Sequence, residues 1–488
     1  MSSRTPDSRQ LHHIFRMPDF RITQSLDIQF LGVKTRLPVL ALTLLVGSIM
    51  GLLAIVFPPL YLFFVIGGLV FAYLLLFKIE VAIILALLIQ NQLGEYNYLG
   101  GGTPYHPNGI MGIAIIFGTL CFILFSKIDY SRLRPIRAFF FFLIICLLTL
   151  IFAREYLFQG ITVTLRLAVA FCIYAVLLYK LDSIKQVKWV IIAVVAAQIL
   201  PTVSGLMVMA GTSGLSFVKG ETARLGHSGI GVYLAMVLTL CLVLFLNVKT
   251  SGEKFLWGVL TALFGLGLFF SFGRSGWISF IVALTIIGVV RHRKILLFLP
   301  VLVMLAIILI PAIPQRFSDI DITNLDQGNA STLSGRIQVW KTGLKLYVTQ
   351  PLLGVGYGLG RYRIGEYLHR YAWMIHNDYI SILLETGLIG LIIFAFWHGQ
   401  WLVRLFKTYY SAYGTNEKML ILAVSAVFAS SLVARLTDNI IQDSYKLYPL
   451  CALVAAALAI PRIMANTLNK QPEVTPLESE TNEPYPEV

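Results

Sequence analysis

The sequence predicts an all-α protein: a polytopic membrane bundle of about 12 to 14 transmembrane helices, with one long extracytoplasmic loop containing an amphipathic helix. Three observations carry that expectation. The 488-residue chain is 57% hydrophobic and 13% charged, with a mean hydropathy of +0.80, whereas soluble globular chains carry about 25% charged residues. Too few charges remain to cover soluble domains, and disorder and a fibrous chain are excluded with them. Next, apolar runs close to the roughly 20 residues that cross about 30 Å of hydrocarbon recur from Leu37 almost to the end. Finally, the cations sort by side. With the N terminus cytoplasmic, 24 of the 38 Lys and Arg residues fall on cytoplasmic segments and 13 on the opposite side, seven of those in one loop, while Arg166 sits inside a span. This positive-inside pattern accounts for the net charge of +14 without nucleic acid as a partner.

In chain order, a charged segment, 1–36, has no apolar core of its own, so no cleaved signal peptide is expected and the first helix drives insertion. Residues 37–313 hold eleven spans, approximately 37–57, 59–77, 79–93, 109–126, 136–152, 159–179, 187–211, 227–247, 255–271, 276–290 and 295–313. Charges or Gly and Pro bound each of them, from Pro58-Pro59 and Lys78 to the Arg291–Lys294 cluster. A loop over 314–377 follows, then spans 378–402, 417–433 and 445–464 within 378–464, and a Glu- and Pro-containing cytoplasmic tail, 465–488, expected to be disordered. The five cysteines all fall in apolar runs without a CxxC pair, which argues against a disulfide framework or a zinc site. No metal or cofactor is expected; Asp319-Ile-Asp321 reads as a solvated acidic turn.

Charges at membrane depth are expensive, so the informative residues lie at span ends on the extracytoplasmic side. Arg274, in Ser271-Phe-Gly-Arg-Ser-Gly-Trp277, is held between two helices, with Gly273 and Gly276 expected to leave room for a ligand. Its planar fork of donors suits phosphate oxygens; the alternative is an interfacial arginine that snorkels to headgroups. Arg224 lies in a second Gly-rich turn on the same side. His376 opens the twelfth span, where the positive end of the helix dipole would favour the neutral imidazole; the competing reading is that His376-Asn377-Asp378 only starts a helix. Within the loop, Ile337, Trp340, Leu344 and Val348 share one helical face flanked by Lys341 and Lys345, as an interfacial helix requires. Alternate glycines follow from Gly354 to Gly360, as in a backbone that passes close to something. Arg166 must face the bundle interior or water, and Glu385, Asp438 and Asp443 are expected to partner arginines.

These residues resemble the O-antigen ligase and polymerase superfamily of multi-span bacterial glycosyltransferases over about 224–398. The resemblance rests on Arg336-Ile-Gln-Val-Trp-Lys, on Pro351-Leu-Leu-Gly-Val-Gly-Tyr-Gly, on His376-Asn-Asp-Tyr-Ile-Ser-Ile-Leu-Leu-Glu385-Thr-Gly-Leu-Ile-Gly390 and on the Arg274 turn. The first half matches in hydropathy alone, and Arg224 is not followed by the family's usual Pro-Asn pair. The resemblance implies that Arg274 and Arg224 grip the diphosphate of a polyprenyl-diphosphate-linked glycan donor and that His376 activates the hydroxyl of a glycan or lipid-core acceptor, with Arg336, Glu385 and Asn377 as further site residues; Arg166 is a further candidate by its place inside a span alone. It implies a bacterial inner membrane location, both termini cytoplasmic, an extracytoplasmic active site, contact with membrane lipids and a chain-length regulator as a further partner. A multi-span transporter of a small solute or lipid-linked intermediate is the alternative from a different class.

Overall fold

The computed structural model describes residues 27–30, 33–36, 59–93, 107–211, 228–271, 273–297, 299–300, 304, 333–369, 374–412 and 414–468. The chain divides into two compact units, Met1–Phe71 and Ala72–Val488. In the charged segment that opens the first, Asp27–Phe30 (β1) and Val33–Arg36 (β2) pair antiparallel, Asp27 opposite Arg36 and Phe30 opposite Val33. This hairpin is the one sheet among the described residues.

The rest of the described structure is helical. Its α-helices are α1 (Pro59–Phe77), α2 (Ile79–Leu93), α3 (Pro107–Phe125), α4 (Arg137–Thr149), α5 (Leu157–Lys180), α6 (Ile184–Ala196), α7 (Ile199–Gly211), α8 (Ser228–Asn247), α9 (Ser251–Phe270), α10 (Arg274–Val290), α11 (Leu333–Thr349), α12 (Gly360–Leu368), α13 (Asp378–Ser411), α14 (Thr415–Ala434) and α15 (Ser444–Leu468). Nine helical stretches among the described residues are long and apolar enough to cross a membrane, and shorter apolar helices accompany them. The chain is therefore a polytopic helical membrane protein. Helix α10 packs between α8 and α14, α13 lies against α4, α11 and α14, and α15 lies against α5. The expected span 37–57 and most of 295–313 lie outside the described residues.

Three expectations need correction. The span 187–211 is two helices, α6 and α7. Pro201 has no N–H for the carbonyl of Ala197, and Asn91 of α2 takes over that carbonyl at 3.4 Å and bonds the Gln198 side chain at 3.0 Å. Residues 465–468, assigned to the disordered tail, are the last turn of α15. The long loop contains a second helix, α12, closed by His369 in a left-handed conformation (φ 50°).

Helix α11 forms as its periodicity predicts, and within the stripe Trp340 packs on the core of the loop and donates its indole N–H to the Ile375 carbonyl at 2.7 Å. Leu344 and Val348 are 43% and 72% exposed, while Val339, Thr342 and Gly343 are buried. Gly343 faces Ile364, Ile380 and Leu384. Val339, Val355, Ile364, Ile375 and Leu384 then form a small apolar core that fixes α11, the glycine run and α12 on the first turns of α13.

Candidate active site

The loop enters α13 through His376-Asn377-Asp378, and each residue has a different task. Asn377 is the N-cap: its side-chain oxygen accepts from the Ile380 N–H at 3.0 Å, and its amide donates to the Leu436 carbonyl at 3.0 Å. Asp378 is fully buried; one carboxylate oxygen accepts from Arg435 at 2.7 Å and from the N–H groups of Ile440 and Ile441 at 3.1 and 3.0 Å. The connection from Arg435 to Asp443, which leaves α14 and enters α15, is thereby tied to the start of α13. His376, left out of this clamp, is half-buried and held at φ 51°. That left-handed conformation carries a strain of about 1 to 3 kcal/mol in a residue with a side chain.

The electrostatics around His376 come from three other elements. Burial, then the Arg336 guanidinium, push its pKa down to about 4, with Lys446 acting in the same direction and Asp438 against it. Burial and the neighbouring cations both favour the neutral imidazole. Arg336, from α11, donates to the Thr437 carbonyl at 3.1 Å. Its own pKa is lowered by burial and by the charge of Arg274, and raised by Asp438. Arg274 and His376 are thus both within electrostatic range of Arg336. Lys446 is buried and bridges Asp438 at 2.9 Å and Asp443 at 3.0 Å.

Arg274 is the first residue of α10, after the N-cap Gly273. Gly276 does not leave room for a ligand as expected, because a Cβ there would collide with the backbone of Gly231 in α8. The glycine instead lets two helix backbones touch, which fixes Arg274 at the head of α10.

Glu385 and the glycine run belong to one device. Gly387 breaks α13 with φ 67° and ψ −169°. The carbonyls of Leu384 and Glu385, freed by the break, accept from the N–H groups of Val355 and Gly356 at 3.0 Å each, and the N–H groups of Leu388 and Ile389 donate to Pro351 and Leu352 at 2.8 and 3.3 Å. These four backbone groups at the break are thus paired from within the chain, as membrane depth demands. The Glu385 carboxylate accepts from the N–H groups of Gly358 at 2.9 Å and Gly360 at 3.1 Å, and from Gln442 at 2.7 Å. Its partners are backbone amides and a glutamine, not an arginine; likewise Asp438 and Asp443 pair with a lysine.

The structure brings together Arg274, Arg336, Asn377 and His376, with Glu385 bracing the loop beneath them. Arg166 lies elsewhere, in a pocket between α3, α5 and α15. Arg224 and the Asp319-Ile-Asp321 turn fall outside the described residues. Sequence reasoning missed Arg435 and Lys446; the visible signal was two cations on the side that the positive-inside pattern leaves poor in them. Among the described residues no group of three or more His, Cys, Asp and Glu is placed to hold a metal ion.

Residues 258–395 match a family described as O-antigen ligase. The exopolysaccharide production protein ExoQ of Rhizobium meliloti is 38% identical over 76 residues, 14% of this chain and 18% of that protein. The aligned stretch is thus a small part of either protein. Arg274, Arg336, His376, Asn377 and Glu385 all fall inside 258–395, so on that segment the resemblance first read from the motifs is an O-antigen ligase family match.

Proposed function

We propose that this protein is a membrane glycosyltransferase that moves a glycan from a polyprenyl-diphosphate carrier to an acceptor hydroxyl, at the end of the bundle that carries His376. The observation that carries the reading is the half-buried imidazole at the entry to α13, with the charge of Arg336 acting on it and that of Arg274 acting in turn on Arg336. His376 takes the proton of the acceptor hydroxyl as its oxygen attacks the anomeric carbon. The bond from that carbon to the diphosphate oxygen breaks, and the electron pair leaves with the diphosphate. Arg274 and Arg336 stabilise the charge that develops there, with Arg224 as a further candidate from the segment leading into α8. A positioned base typically contributes about 10² to 10⁴ in rate, and an aimed donor about 10² to 10³. One displacement inverts the anomeric centre.

The role that gives the relative its name, exopolysaccharide production, supports a second lipid-linked glycan as acceptor, which makes the reaction a polymerisation. The competing transporter reading draws on the break in α13, since carriers use broken helices to line substrate cavities. Here the break is filled by residues 351–356 of the same chain, which favours a braced scaffold. Purified protein in proteoliposomes, given the lipid-linked glycan of its host, is expected to release polyprenyl diphosphate as glycan lengthens. Release with a single addition to a lipid core would indicate a ligase, and solute uptake without release would favour the carrier.

A further inference from the structure

Arg166 is the one cation expected inside a span, and the His376 site does not use it. It lies nine residues into α5, about 14 Å along the helix from Leu157. Isolated arginines at such depth are unfavourable by about 3 kcal/mol or more and take a partner. Among the described residues none supplies a carboxylate or a hydrogen bond: the one group that feels its charge is the Tyr448 hydroxyl of α15. Arg166 lines a small, open pocket of about 30 Å³ with Asn108 and Gly112 of α3, Thr162 of α5, and Ser444 and Tyr448 of α15. No acidic residue is in that lining.

The pocket favours an anion. Asn108 belongs to the first turn of α3, so one helix N terminus, with its partial positive charge, opens onto it, while the N terminus of α15 is capped by Asp443, which accepts from the Tyr445 N–H at 3.1 Å. Side chains on a helix lean toward its N terminus, which carries the Arg166 guanidinium toward the same opening and toward the His376 end of the bundle. The adjoining surface of α3 is apolar and uncovered: Ile110, Ile113 and Phe117 are 57%, 45% and 62% exposed. An anion with acyl or prenyl chains can lie with its head on Arg166 and its tail along α3, whereas a free anion gains nothing from that surface.

We propose that this pocket is an anionic-lipid site, in which the Arg166 fork, helped by the Tyr448 hydroxyl, binds the phosphate oxygens of a membrane lipid. The chemistry is shared by phospholipid headgroups and polyprenyl phosphates, and the site stands apart from His376 and does not depend on any transfer reaction. To test it, the delipidated full-length protein is returned to phosphatidylcholine nanodiscs doped with phosphatidylglycerol in one arm and with polyprenyl phosphate in another, and bound lipid is counted by native mass spectrometry. A third arm adds inorganic phosphate to the protein in neutral detergent. At least one lipid arm should show saturable binding to wild type, weakened about tenfold or more in Arg166→Met, the equivalent of losing a charge-assisted hydrogen-bonded pair, and less in Arg166→Lys, which keeps the charge but not the fork. Which lipid arm responds identifies the source. Tyr448→Phe, which keeps the ring, should weaken binding by a smaller factor. Equal lipid binding by wild type and Arg166→Met, or binding of inorganic phosphate with no gain from either lipid, would overturn the proposal. Because the readout is lipid occupancy, loss of transfer activity in any variant has no bearing on it.

Discussion

Helix α13 departs from regular geometry twice, at His376-Asn377-Asp378 and again at Gly387, and the two departures are stabilised by opposite means. The first is held by charge: Asp378 and Arg435 are both fully buried and paired, and Lys446 bridges two aspartates close by. The second is held by glycines and backbone pairing, with a single carboxylate as brace. The charged junction leaves one side chain, His376, outside its clamp, whereas the glycine junction pairs the carbonyls of Leu384 and Glu385 and the N–H groups of Leu388 and Ile389 with residues 351–356. A strained residue left half-buried beside a braced network points to function; where the freed groups are paired internally the device is structural. Variants at the two places should therefore separate activity from folding in different ways.

The largest effect is expected at His376. His376→Ala should reduce glycan transfer by about 10² to 10⁴, while yield, membrane insertion and thermal unfolding in detergent stay close to wild type, because the imidazole is not part of the clamp. Wild-type turnover by this variant would end the general-base role. Arg435→Met, one step behind it, should behave in the opposite manner. It leaves the buried Asp378 charge unpaired, which costs about 3 to 5 kcal/mol, and the melting temperature and the activity should fall together. Replacing both partners, Asp378→Leu with Arg435→Met, should recover part of that stability, and failure to recover it would show that the backbone bonds of Ile440 and Ile441 to Asp378 carry the junction.

At Gly387, alanine combines a left-handed φ with a collision against the Leu352 carbonyl, so Gly387→Ala should lower stability by about 1 to 3 kcal/mol from the strained conformation alone, with activity lost in proportion. The milder Glu385→Gln keeps the side-chain shape but turns an NH₂ group toward at least one of the partners that now donate to it, at about 1 to 3 kcal/mol. An unfolding curve unchanged in both would mean that the segment 351–360 does not need the break in α13 as its seat.

The contrast also explains what could be read in advance. Spans were legible because bilayer thickness imposes a length on apolar runs, and Arg274 and His376 were legible because polar residues at span ends are few. The break at Gly387 was not, since Thr386-Gly-Leu-Ile-Gly390 has the apolar character of an uninterrupted span and the groups that complete it come from 351–356. The stripe of α11 divides between an exposed part, Leu344 and Val348, and the packed Trp340 for a related reason: an interfacial helix has two apolar neighbours, lipid and protein, and periodicity does not say which residue meets which. The pairings of Asp378 with Arg435 and of Lys446 with Asp438 join residues from separate helices or a connection between them, and a charge in a sequence does not name its partner.

The smallest and most specific effect concerns pH. A histidine whose pKa is lowered from its ordinary 6.5 to about 4 is a free base at every pH above that value and is lost as a base only below it. The profile of kcat/KM, which reports the free enzyme, should stay level from neutrality to about pH 5 and then fall tenfold per unit below about 4. Stability has the same sign: between 6.5 and 4 the unfolded chain binds a proton that the folded protein does not, so the His376 contribution is present above 6.5 and is lost as pH falls toward 4. Arg336→Gln removes the larger of the two cationic influences on the imidazole but leaves its burial, so the acid limb should shift upward without reaching 6.5. A limb that stays in place in Arg336→Gln would leave burial and Lys446 as the causes, and one near 6.5 in the wild type would mean that the imidazole is exposed to water during turnover.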